Sequence, residues 1–219
     1  LDPSIIAPID DTEENFAYWK DLFNFKRNWV VATVKVLANT IKRKKKGTGH
    51  TWYATLLEEF LSCYYGDWIA GKLWGLMKKD AADAFGSKEN AFGTFLLKEL
   101  DALPTRPKIF LSAHSAGAIY ATRLIENDTS TEGYDLGWVA PALNYAQFAE
   151  LIRNHSQKIR NFRMFGMKDS LERSDTLVGR QKWIYPSSLL YFVSGICERD
   201  DNNKRIIDQS LLGMQRYYN

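Results

Sequence analysis

Histidine is scarce in this 219-residue chain, and its placement is unfavourable for one common use. Only His50, His114 and His155 occur, and none follows residue 155. A serine hydrolase whose groups run Ser, acid, His along the chain would therefore lack a base in its usual C-terminal place. Cysteine is scarcer still. Cys63 and Cys197 stand in unrelated contexts, which argues against a disulfide framework and fits buried thiols in a reducing, cytoplasmic setting. No uninterrupted apolar run approaches the ~18 residues of a membrane-spanning helix. Zinc-ligand spacing, a P-loop and a G-x-G-x-x-G fingerprint are all missing, so neither a metal nor a nucleotide cofactor is expected.

Net charge is small, +3. Five of the positive charges fall in one run, Lys42–Lys46, so the rest of the chain is slightly negative. The basic character is a local patch and not a nucleic-acid-binding face, and no nucleic-acid partner is expected. Lysines after the last apolar turn of a helix complement its dipole and keep the loop soluble. The same run, with aromatic residues of "WKDLFNFKRNW" nearby, is also suited to weak contact with a membrane surface. Aromatics are plentiful at 14%, with seven Trp, enough to fill a core or line an apolar cleft.

The length suits one domain. Residues 1–106 read as mainly helical and 107–219 as strand–helix units. "WVVATVKVLANTIKRKK" carries a helical stripe at Val30, Val34, Leu37 and Ile41, although its β-branched content also fits a strand. A helix pair follows, with Tyr53, Leu56, Leu57, Phe60, Leu61 and Tyr64 on the first face. A break at Gly66 and Asp67 precedes Ile69, Leu73, Leu76 and Met77 on the second. "AFGTFLLKELDAL" is a further helix. Beyond Pro107 the pattern alternates. "KIFLSA" reads as a short buried strand, "AGAIYATRLIEN" as a helix and "YDLGWVAPAL" as a strand. "AQFAELIRNHSQKI" is a helix and "RNFRMFGMKD" a third strand, which predicts a parallel α/β architecture. A helix from about Ser187 and an irregular tail close the chain.

One junction carries chemistry. In "AHSAG", residues 113–117, Ser115 stands where a strand turns sharply into a helix. The pattern is that of G-x-S-x-G with Ala113 at the first glycine position. Small residues at ±2 let strand and helix approach closely. The Ala116 N–H, at the helix start, can donate to a developing oxyanion with help from the helix dipole. The plainer alternative is a strand–helix junction with a serine N-cap.

On these residues the chain resembles the α/β-hydrolase superfamily, and within it a group of bacterial α/β-hydrolase-like proteins. The likeness runs through "HTWYATLLEEFL", "WGLMKKDAADAF", "LSAHSAGAIY", "FRMFGMKDSLERSD", "YPSSLLYFVSG" and "LLGMQRY", roughly residues 50–218. The resemblance implies a three-layer sandwich with a partly parallel sheet, a Ser115 nucleophile, and an acid after a later strand. Asp169, just beyond "FRMFGMK", fits that acid, with Glu172 and Asp175 as weaker choices. Asp169 reads equally well as a turn or cap residue.

The base is the departure. His114 adjoins Ser115, and neighbouring side chains at such a turn diverge, so it belongs to the substrate-binding side. His155 closes a polar helix, where an exposed histidine is ordinary. His50, after "KGTG", is the best available base, and a loop residue against Trp52 is its structural alternative. After Asp169 the place for a histidine holds "WIYPSSLLY". Tyr185 titrates near ~10 when unperturbed, Ser187 and Ser188 are not bases near neutral pH, and Lys182 would need deep burial.

A second departure is that only three strands are legible and no "HGG" loop supplies a second oxyanion donor. Three parallel strands leave an edge unpaired beside the nucleophile. The chain, which begins at Leu1, is therefore expected to be the C-terminal portion of a longer protein. The expected function is hydrolysis of a small-molecule acyl ester or thioester by Ser115. The alternative is a hydrolase-like fold that has lost its chemistry and serves as a binding or partner module.

Overall fold

The computed structural model describes residues 29–46, 52–61, 67–87, 91–176 and 185–218. Four helices come first: α1 (Trp29–Lys45), α2 (Trp52–Leu61), α3 (Asp67–Asp83) and α4 (Phe92–Asp101). Then β1 (Ile109–His114), α5 (Gly117–Asn127), β2 (Tyr134–Val139), α6 (Tyr145–His155) and β3 (Ile159–Phe165) alternate. Two short helices follow, α7 (Asp169–Glu172) and α8 (Leu189–Phe192), and α8 runs into a π-helical turn at Val193–Cys197. The strand–helix alternation predicted beyond residue 107 is therefore present, and the class is α/β.

The sheet order is β1-β2-β3, and both pairings are parallel. Crossovers in parallel sheets are right-handed, so two steps in one direction place α5 and α6 on the same face. That face is the core. Leu111, Leu136 and Phe162 share one register row, and Ala113, Trp138 and Met164 the next. Trp138 is fully buried and meets the rings of Phe162 and Phe148 edge-on, with centroids 5.3 and 5.9 Å away. Below the sheet, Arg106 donates to Asp128 at 2.7 Å and to the Tyr134 hydroxyl at 2.9 Å. The Tyr134 hydroxyl itself donates to Asp128, closing a buried triangle that ties the α4–β1 connection to β2.

The opposite face corrects the expectation of a buried β1. Phe110, Ser112 and His114 are exposed, as are Val139, Asn161, Arg163 and Phe165. Among the described residues no helix covers this face and no strand pairs with the outer edge of β1. The described architecture is thus an open three-stranded sheet with helices on one side.

The side chains of Val30, Val34, Tyr53, Leu61, Tyr64 and Ile69 lie outside the described ones, but among those described the helical half departs from its predicted faces. In α1 the buried positions are Val36, Thr40 and Arg43, while Leu37 and Ile41 are exposed. In α2 they are Ala54, Thr55, Glu58 and Glu59, and Phe60 is exposed. In α3 the buried side chain is Trp74, and Leu73, Leu76 and Met77 face outward. The reason is electrostatic. Arg43 bonds Glu58 at 2.7 Å, Glu59 at 2.9 Å and Asp208 at 3.0 Å. Arg205 adds a second cation at 2.9 Å from Glu59. Charges buried together must be paired and hydrogen-bonded, and this network turns α1 and α2 so that polar residues meet. It also withdraws Arg43 from the basic run, leaving lysines at its surface. No helix among the described residues is long and apolar enough to cross a membrane.

Candidate active site

Pro107 and the apolar run after it start β1, and the strand ends at His114. Ser115 then takes a left-handed backbone, φ 51°, before Ala116 and Gly117 start α5. That conformation costs an L-residue about 1–2 kcal/mol, and it persists only where surroundings impose it. Three hydrogen bonds impose it here. The Ser115 N–H donates to the Val139 carbonyl at 3.1 Å. The Ser115 carbonyl accepts from Ala118 N–H at 3.2 Å and from Ala142 N–H at 3.0 Å. The result is a sharp strand-to-helix turn with one residue held in the left-handed region.

Ala113 in place of glycine is readily accommodated. A Cβ added at Gly117 would lie 3.9 Å from the Ala113 Cβ, an ordinary van der Waals contact. Strand and helix therefore leave room for a methyl group on each side of the turn.

The loop after β2 braces the elbow and is itself braced. Ala140, also left-handed at φ 44°, donates to the Phe165 carbonyl at 2.7 Å. Leu212 and Gly213 N–H groups donate to the carbonyls of Leu143 and Pro141, each at 2.8 Å. A Cβ on Gly213 would fall 2.5 Å from the Ala140 carbonyl carbon, so only glycine fits. Sequence reading missed this C-terminal brace. Its signal was the glycine in "LLGMQ", which stands in no helix or strand.

Among the described residues the Ser115 hydroxyl and the Ala116 N–H have no hydrogen-bond partner. Both lie at the N-terminus of α5, where free N–H groups and the helix dipole favour negative charge. The site can therefore offer a hydroxyl and a backbone donor to one carbonyl group.

The other predicted groups are distributed unevenly. Asp169 follows β3 and opens α7, at the predicted end of the sheet. Its N–H donates to the Gln215 side chain at 2.8 Å. Its carboxylate accepts from the Tyr191 hydroxyl and lies 3.7 Å from Arg173. Burial first, and then this bond to Asp169, push the Tyr191 phenol above its ordinary range. No imidazole touches Asp169 among the described residues.

Glu172, one turn further along α7, is almost fully buried. Burial and the neighbouring Asp169 charge raise its carboxyl to about 7. The Ser188 hydroxyl donates to one of its oxygens at 3.4 Å, and the other has no partner among the described residues. Asp175 is exposed and accepts the N–H of its own neighbour Thr176 at 2.8 Å, a turn role. Tyr191 and Gln215 were not anticipated as partners of Asp169, because nothing in their spacing links them to it.

Of the histidines, His114 is exposed on the uncovered face beside Val139 and Phe165. His155 ends α6, half-buried, and its imidazole makes no hydrogen bond among the described residues. His50 and Lys182 lie outside the described residues. Tyr185 is buried and donates to Glu58, and Ser187 and Ser188 are buried, so none of the three is placed as a base. No family model, no curated protein and no solved structure matches the chain.

Proposed function

We propose that the chain is a serine hydrolase of carboxylic esters or thioesters, built on the three-layer plan of the α/β hydrolases. The observation that carries this reading is the left-handed Ser115 at the strand–helix turn, with its hydroxyl and the Ala116 N–H both unengaged among the described residues. A serine that merely capped α5 would have no need of a strained backbone, and the N-cap position of α5 is Ala116, not Ser115. Among the described residues the β1 edge is open and one sheet face uncovered, which fits a three-layer sandwich with more strands than these three.

In this mechanism the Ser115 Oγ attacks the substrate carbonyl carbon as a base removes its proton. The Ala116 N–H receives the developing oxyanion. Collapse of the tetrahedral adduct expels the alcohol or thiol, which takes the proton from the base. Water, deprotonated by the same base, then releases the acid and restores the serine hydroxyl. Asp169 orients the base and His50 is the base. Labelling with a fluorophosphonate probe tests this. The wild-type chain labels, Ser115→Ala does not, and His50→Ala labels at least about 100-fold more slowly. Labelling that survives Ser115→Ala, or no labelling of the wild type, rejects the reading.

A second reading is favoured by the hold on Asp169. Its carboxylate is already taken by Tyr191 and Arg173, as in a structural cap. On that reading the fold is a binding module without chemistry. Ser115→Ala would then leave the biological activity intact, and its loss with the fold preserved would dismiss the module.

A further inference from the structure

Helix α1 meets the rest of the protein with its polar side. Its buried row is Val36, Thr40 and Arg43, while Leu37 and Ile41 form an outer row, 44% and 45% exposed. Ala38 is exposed beside them. A helix on a globular core ordinarily does the reverse, with apolar residues inward and charge outward. Here the orientation is locked. Arg43 is held by Glu58, Glu59 and Asp208, and the Asn39 amide donates to Glu59 at 3.1 Å. Rolling α1 to bury Leu37 and Ile41 would draw Arg43 out of that network and leave buried carboxylates unpaired. The apolar row is therefore committed to the outside.

Lysines frame this row. Lys45 continues it one turn beyond Ile41, because residues four apart share a helix face. Lys35, Lys42 and Lys46 run alongside, on the Ala38 side. All four are exposed, and none makes an ion pair among the described residues. Arg43 and Lys44 hold interactions of their own and take no part.

We propose that the outer face of α1 docks on an anionic phospholipid surface, with the helix lying in the plane of the interface. Leu37 and Ile41 enter the boundary between headgroups and acyl chains. The lysine stems lie along the same apolar layer, and their ammonium groups reach the charged headgroups. The four unpaired cations supply the charge complementary to such a surface. A second copy of the chain suits the face less, because its lysines would meet the same lysines. Duplex nucleic acid would use the lysines but gain nothing from Leu37 and Ile41. The face shares no residue with the Ser115 turn, and the proposal does not depend on hydrolase chemistry.

The test floats the full chain with phosphatidylcholine vesicles, with or without phosphatidylserine, at physiological salt. Leu37→Gln with Ile41→Gln removes the apolar row, and Lys42→Glu with Lys45→Glu reverses two of the charges. All four side chains are exposed, and glutamine and glutamate favour helix, so both double variants should melt with the wild type. Should one melt lower, its single substitutions carry the same comparison. Phe95→Gln with Lys98→Glu makes the same kinds of change at exposed positions of α4. Flotation is expected with the phosphatidylserine vesicles only. Each α1 double variant should weaken it at least about tenfold, and the α4 variant by less than about twofold. No flotation, or equal flotation with neutral vesicles, overturns the proposal. So does binding that survives loss of Leu37 and Ile41, or an equal loss in the α4 variant. Tighter binding to duplex DNA at equal phosphate concentration also overturns it, and assigns the lysines to a nucleic acid.

Discussion

The Ser115 N–H donates to the Val139 carbonyl at 3.1 Å, so the β1–β2 ladder ends on a residue already in the left-handed region. The sheet itself holds the elbow, and the strain is local to Ser115. This separates stability from reactivity at one position. Ser115→Gly removes the Cβ penalty at φ 51°, while Ser115→Ala keeps it. The glycine variant should be more stable than the alanine variant by about 1 kcal/mol in urea unfolding, and both should be inert to a fluorophosphonate. Equal stability of the two would mean that the backbone relaxes once the hydroxyl is gone.

Tyr191 and Asp169 should behave as one unit. A hydrogen bond to a charged acceptor is worth about 1.5–3 kcal/mol, and its loss leaves Asp169 leaning on Arg173 alone. Tyr191→Phe should destabilise the fold by about 1–2 kcal/mol. Combined with Asp169→Asn, the double variant should be less destabilised than the sum of the singles by at least about 0.5 kcal/mol. Strict additivity in the cycle would show that the pair does not interact in solution.

Glu172 gives the chain a pH dependence of defined sign. Its carboxyl is raised from the ordinary 4.5 to about 7, so the folded state holds this proton more tightly than the unfolded state. Its contribution to stability therefore falls as pH rises from about 4.5 to 7, and stays constant above that. Glu172→Gln replaces the ionisable group with a neutral one of the same shape. The variant should gain on wild type as pH rises, by up to about 3 kcal/mol at pH 8, and match it near pH 4. Thermal unfolding at the two pH values reads this directly. A constant difference would show that Glu172 titrates normally.

The C-terminal half was legible because its elements are set by local rules. Apolar runs bounded by Pro107 or by polar turns gave the strands, and an amphipathic stretch after each gave α5 and α6. The sharp strand–helix turn at Ser115 was legible for the same reason, since Ala113, Ser115 and Gly117 lie within five residues. Among the described residues of the first half the predicted helices are present, but several of their predicted apolar positions face outward. Leu37, Ile41, Leu73 and Met77 follow helical spacing, yet the buried positions include Arg43, Glu58 and Glu59. Periodicity assumes that apolar residues turn inward, and it cannot foresee that carboxylates on one helix will find a guanidinium on another. Nor could spacing reveal that Gly213, about a hundred residues from Ser115, braces the loop that holds it. Both features are long-range contacts with no local trace.

The Arg43 network yields the sharpest stability prediction. Burial opposes charge on Arg43, but Glu58 and Asp208 outweigh it and hold the guanidinium above its ordinary range. Burial pushes Glu58 up to about 7 against the opposing pull of Arg43 and the Tyr185 hydroxyl. Among the described residues the network brings three carboxylates and two guanidinium groups together. Arg43→Met keeps most of the volume and removes one cation from among Glu58, Glu59 and Asp208. Breaking a buried pair on one side costs about 3–5 kcal/mol, because the remaining charge is left unpaired. The loss should shrink as pH falls toward 5, where a protonated Glu58 no longer needs a partner. Adding Glu58→Gln should recover part of the loss at pH 8, since it removes a charge that Arg43 had neutralised. If Arg43→Met is as stable as wild type at pH 8, the three carboxylates are not sharing Arg43, and α1 and α2 are held together by apolar contact alone.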